Sequence, residues 1–100
     1  MNGCGPEFFP DFLSDAADNV SGFADSCNSH DVCYDNCSKT RRQCENEFRN
    51  DMYSQCDGDF SCEFLADIFA TFVTNGGEDI CVESREKVGC SQPQINTCIF

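Results

Sequence analysis

Apolar and cysteine positions in this chain recur at helical spacing. Cys27, His30, Cys33 or Tyr34, and Cys37 follow one another every three or four residues, which places them on one face of a helix. A helix is predicted from a cap at Asp25 or Ser26 to about residue 39. Lys39-Thr40-Arg41-Arg42 reads as a short polar turn. Cys44, Phe48, Asp51 or Met52, and Gln55 then repeat the spacing, predicting a second helix over about residues 41–55. The connection is short, so the two helices are expected to lie antiparallel. Asp57-Gly58-Asp59 is a break. Phe60, Phe64, Leu65, Ile68, Phe69, Phe72 and Val73 form the apolar stripe of a third helix over about residues 61–74. Asn75-Gly76-Gly77 is expected to end it in a left-handed cap. The remainder reads as cysteine-bearing and mostly irregular, with a short helix near residues 82–88. Residues 1–25 read as irregular, punctuated by Gly3, Gly5, Pro6 and Pro10 and anchored by Phe8, Phe9, Phe12 and Leu13. The expectation is one mainly α domain over residues 1–100.

Composition narrows the class. Ten cysteines in 100 residues read as a disulfide framework, which a domain with so small a core needs. Such frameworks persist in oxidising compartments, so a secreted protein is expected. A zinc site is the weaker reading, since there is one histidine and no repeated Cys-x-x-Cys pair. No apolar run is long enough to span a bilayer. Met1 directly precedes Asn2-Gly3 and reads as a start residue added to a mature fragment. The formal charge of −12 argues against nucleic acid and against attraction to anionic lipid. It suits a calcium-binding protein, a neutral interface or plain solubility.

The chemistry centres on Cys27-Asn28-Ser29-His30-Asp31-Val32-Cys33-Tyr34. His30 is the only histidine, mid-helix between cysteines that tie the helix down. An imidazole so held suits a general base near neutral pH. The Asp31 side chain points about 100° away around the helix and serves a different partner. Tyr34 lies one turn beyond His30, in reach of a carboxylate. A His-Asp dipeptide alone is weak evidence; its flanks add more.

Cys-x-x-His-Asp-x-Cys-Tyr resembles the active-site helix of the secreted phospholipases A2. Asn2-Gly3-Cys4-Gly5-Pro6 resembles that family's calcium loop. The stretch Cys33-Tyr34-Asp35-Asn36-Cys37-Ser38-Lys39, followed by Gln43-Cys44-Glu45-Asn46-Glu47-Phe48, is especially similar to the group XII type. The resemblance covers roughly residues 2–56 and implies a small disulfide-rich fold. That fold has two antiparallel helices bridged by disulfides, a third packed helix and an N-terminal calcium loop. The resemblance also implies that His30 is the base activating water and that Asp31 is a Ca2+ ligand. The carbonyls of Gly3, Gly5 and Glu7 would complete the ligands, and the Gly5 N–H would face the oxyanion. The position that fixes the histidine's tautomer is Glu45, where the family has aspartate; Asp51 is the other candidate. The implied bridges are Cys4–Cys27 and Cys33–Cys44. Ser26 and Asp51 occupy both ends of a bridge that the family has and this chain lacks. Cys37, Cys56, Cys62, Cys81, Cys90 and Cys98 remain, with 15 pairings open.

The activity implied is calcium-dependent hydrolysis of the sn-2 ester of glycerophospholipids, by a monomer acting at a membrane or micelle surface. Phe8, Phe9, Phe12 and Phe23 lie near the proposed loop, as an acyl channel, a lipid contact or core. The amphipathic helix that precedes the loop in the group I and II enzymes is missing. The rival reading is a catalytically inactive phospholipase A2-like binding module or toxin subunit.

Overall fold

A computed structural model describes residues 23–99. Gly3, Cys4, Gly5 and Glu7, together with Phe8, Phe9 and Phe12, lie outside the described residues. Among the described residues there is no strand. The elements are α1 (Phe23–Asp35), α2 (Arg41–Cys56), α3 (Phe60–Val88) and α4 (Gln92–Asn96).

Helix α1 stops at Asp35, four residues short of the expected end at about residue 39. Asn36 stops it: its side-chain oxygen accepts the Ser38 N–H at 3.0 Å, and its carbonyl accepts from Lys39 N at 3.1 Å. This side-chain turn competes with another helical turn. Helix α2 starts where Thr40 and Gln43 exchange side-chain bonds with each other's backbone N–H, a reciprocal cap. The helix thus begins at Arg41, as expected, and takes in Arg41 and Arg42 from the polar stretch. It ends at Asp57, whose φ of 52° is left-handed, and Gly58 follows at 83°. Asp59 then caps α3 by accepting from Cys62 N at 2.9 Å.

Helix α3 overturns the largest expectation. It runs through Asn75-Gly76-Gly77 and absorbs residues 82–88, for 29 residues in all. The left-handed cap sits instead at Gly89, with φ 82° and its N–H on the Arg85 and Glu86 carbonyls. Two helical glycines cost about 1 kcal/mol each, but the buried row outweighs them. Ala66, Phe69, Ala70, Val73, Gly77, Cys81 and Arg85 are all buried, at spacings of three and four. The expected stripe is turned accordingly. Phe69 and Val73 are core, Leu65, Ile68 and Phe72 are half-buried, and Phe60 and Phe64 are exposed. Helix α4 was not anticipated; Ser91 and Gln94 cap it reciprocally, with Pro93 in its first turn.

Side chains of α1 and α2 meet in pairs. Cys33 is bridged to Cys44, Tyr34 bonds Glu45, and His30 packs on Phe48 with ring centroids 4.9 Å apart. Helix α3 covers the pair, with Phe69 edge-on to Phe23 at 5.5 Å. Met52 and Val73 complete the centre. Each such side chain contributes about 1.5–3 kcal/mol by leaving water. On the surface, the Tyr53 hydroxyl donates to Asp67, and Arg49 Nη2 lies 3.1 Å from the same carboxylate. The open pairings resolve as Cys37–Cys90, Cys56–Cys62 and Cys81–Cys98. Cys37–Cys90 spans 53 positions, and loop-closure entropy credits a bridge of that span with about 4 kcal/mol. Cys27 is also disulfide-bonded; Cys4, its expected partner, lies outside the described residues.

Candidate functional site

His30 and Glu45 meet between α1 and α2. The Cys33–Cys44 bridge, one turn from His30 and adjacent to Glu45, fixes the spacing of the two helices. His30 Nε2 lies on Glu45 Oε1 in a short contact. Both residues are buried. Of the two carboxylates considered from sequence, Glu45 contacts the ring, whereas Asp51 lines an adjoining cavity.

The Glu45 carboxylate has further donors. The Tyr34 hydroxyl lies 3.0 Å from Oε1 and 2.9 Å from Oε2. Burial first, and the negative charge of Glu45 second, push this hydroxyl far above the ordinary tyrosine range. It therefore stays protonated and donates. Arg41 Nε, one turn earlier on α2, lies 3.4 Å from Oε2. Glu45 is thus a buried charge with a paired cation and hydrogen-bond donors, the condition under which burial is tolerated.

Gly77 closes the other side. A methyl group added there would collide with Tyr34 Oη and lie 2.9 Å from Glu45 Oε2. The glycine read from sequence as a helix end lies within α3 against the Tyr34–Glu45 pair. Sequence reasoning missed two contributors: Gly77 and Arg41. The signal for Gly77 was the row Val73, Gly77, Cys81, Arg85 at a spacing of four.

His30 also borders a cavity of about 440 Å³, within the range of small-ligand sites. Ser26 and Ser29 line it from α1, and Glu47, Phe48 and Asp51 from α2. The lining is mixed, with the Phe48 ring and the Cys33–Cys44 bridge as its apolar part.

Asp31 is buried on α1, next in sequence to His30. Its carboxylate has the hard oxygen chemistry that calcium takes. The other expected ligands, the carbonyls of Gly3, Gly5 and Glu7, lie outside the described residues. Among the described residues no three or more His, Cys, Asp or Glu side chains cluster as a metal site. Nor, among them, is any helix long and apolar enough to cross a membrane. Compared with models of known families, with curated proteins and with solved structures, the chain matches none.

Proposed function

We propose that the chain is a secreted, calcium-dependent hydrolase of the sn-2 ester of glycerophospholipids, with a fold of the phospholipase A2 type. The observation that carries this reading is the His30 Nε2–Glu45 contact between two disulfide-bridged helices, at the wall of a cavity. That contact commits Nε2 to the carboxylate. Nδ1 is then the nitrogen that takes the proton from the attacking water, as a general base does. Glu45 holds the ring in the Nε2–H tautomer and stabilises the imidazolium formed when water is deprotonated. Tyr34 and Arg41 hold Glu45.

Asp31, with the carbonyls of Gly3, Gly5 and Glu7, would hold the calcium. When bound, calcium polarises the ester carbonyl and stabilises the oxyanion. The Gly5 N–H would donate to the same oxygen. Several disulfides suit an extracellular setting, and phospholipid at a neutral interface suits a chain of charge −12.

Fatty-acid release from zwitterionic phospholipid vesicles tests this. Release is expected with calcium and is expected to stop with chelator. His30→Ala is expected to lower it by roughly 10²- to 10⁴-fold, the usual contribution of a general base. Release that survives chelation or His30→Ala would sink the mechanism. No release by the unmodified chain from any lipid would sink the enzyme and leave the binding-module reading.

A further inference from the structure

We propose that Arg41 is a positioning residue for Glu45, fixing the carboxylate that faces His30. Glutamate has one more rotatable bond than aspartate, and its terminal torsion is broad. A carboxylate held only by His30 and Tyr34 would be free to rock or to exchange its oxygens. Arg41 removes that freedom. Its Nε lies 3.4 Å from Glu45 Oε2, while His30 takes Oε1.

The guanidinium is itself held from behind. Nη1 donates to the Cys98 carbonyl at 2.8 Å, and Nη2 donates to the Thr74 carbonyl. Cys98 is anchored by its bridge to Cys81, and Thr74 sits within α3. The planar fork of arginine carries their positions to the carboxylate, because its nitrogens cannot move independently. Gly77 leaves room for this. A Cβ there would lie 3.5 Å from Arg41 Nε and 2.9 Å from Glu45 Oε2. Arg41 is thus the compensation for a glutamate standing where the resemblance has aspartate.

His30 is the only histidine, so histidine-selective ¹⁵N labelling reports a single ring. The ring is observed at a pH well above the ordinary histidine range. The unmodified chain is expected to show one tautomer, with hydrogen on Nε2. Arg41→Gln and Arg41→Lys are both expected to show a mixture of tautomers, since lysine keeps the charge and loses the fork. A single Nε2–H tautomer in either folded variant would overturn the proposal. If neither variant folds, Arg41 is a structural staple and the separate positioning role is likewise overturned.

The kinetic consequence rests on the hydrolase reading. Arg41→Lys is expected to lower kcat roughly 10- to 100-fold, as for residues that orient a metal-bound histidine, with KM within about twofold. An unchanged kcat in an active protein counts against the proposal. An unmodified chain without hydrolase activity counts against the enzyme alone, because the nitrogen signature still decides the role of Arg41.

Discussion

Replacing Arg85 by methionine is expected to destabilise the folded chain by about 3–5 kcal/mol, because several buried hydrogen bonds from a charged donor are lost, each at about 1.5–3 kcal/mol. Arg85 is fully buried. Its Nε donates to the Tyr34 carbonyl at 3.1 Å, and Nη2 to the carbonyls of Asn36 and Lys39. Nη1 donates at 2.7 Å to the Gln94 carbonyl and to Thr97 Oγ1. Burial lowers the pKa of this guanidinium below the usual arginine range. The end of α1 offsets that cost, because the C-terminal carbonyls of a helix favour a cation. Methionine fills much of the same space but takes these donors from the Tyr34 and Lys39 carbonyls, at about 1–3 kcal/mol for each that water does not reach, whereas the Asn36 and Gln94 carbonyls keep the Lys39 N–H and the Thr97 hydroxyl. In a domain of this size 1 kcal/mol moves Tm by roughly 4–8 °C, so thermal denaturation with the disulfides intact will show the loss clearly. A change under about 1 kcal/mol, the size of a single ordinary hydrogen bond, would mean that Arg85 is not the tie between α1 and the C-terminal segment.

Gly77→Ala and Gly76→Ala are expected to change stability in opposite directions. Alanine outranks glycine in a helix by about 0.8–1.0 kcal/mol. Gly76 is exposed within α3, so its replacement is expected to stabilise by up to that amount. Gly77 is buried, and its new methyl group would strike Tyr34 Oη. Overpacking of this kind costs about 1–3 kcal/mol, enough to reverse the sign. Adding Tyr34→Phe removes the struck oxygen and is expected to recover part of the loss. Chemical denaturation of the four proteins checks this. Gly77→Ala as stable as Gly76→Ala would show that α3 does not close on the Tyr34–Glu45 pair.

The parts legible in the sequence were those governed by short-range signals. Spacing located α1 and α2, and Asp57-Gly58-Asp59 marked a real break. Resemblance supplied the Cys33–Cys44 bridge and pointed to Glu45. Glycine misled because its local meaning, an end to the helix, was weighed without its tertiary one. The row from Val73 to Arg85 continued across it. Arg41 and Arg85 were invisible for a related reason. Arginine is ordinarily a surface residue, and both are buried here because Arg85 and the two Nη groups of Arg41 find main-chain carbonyls, which no side-chain pattern records. Helix α4 was readable in principle, since Ser91-Gln92-Pro93-Gln94 has the spacing of a capping box. The bridges of the last third needed the fold, because Cys37 and Cys90 are neighbours only once α3 is continuous.

The disulfide map also decides what happens if the backbone is cut. The turn between α1 and α2 is straddled by Cys33–Cys44, the turn before α3 by Cys56–Cys62, and the turn before α4 by Cys81–Cys98. A protease that severed any one of these turns, including the first with its flanking Lys39 and Arg41, would leave both pieces covalently joined. The halves of the His30–Glu45 pair would then stay at intramolecular effective concentration, and a nicked chain would separate into fragments only on reduction.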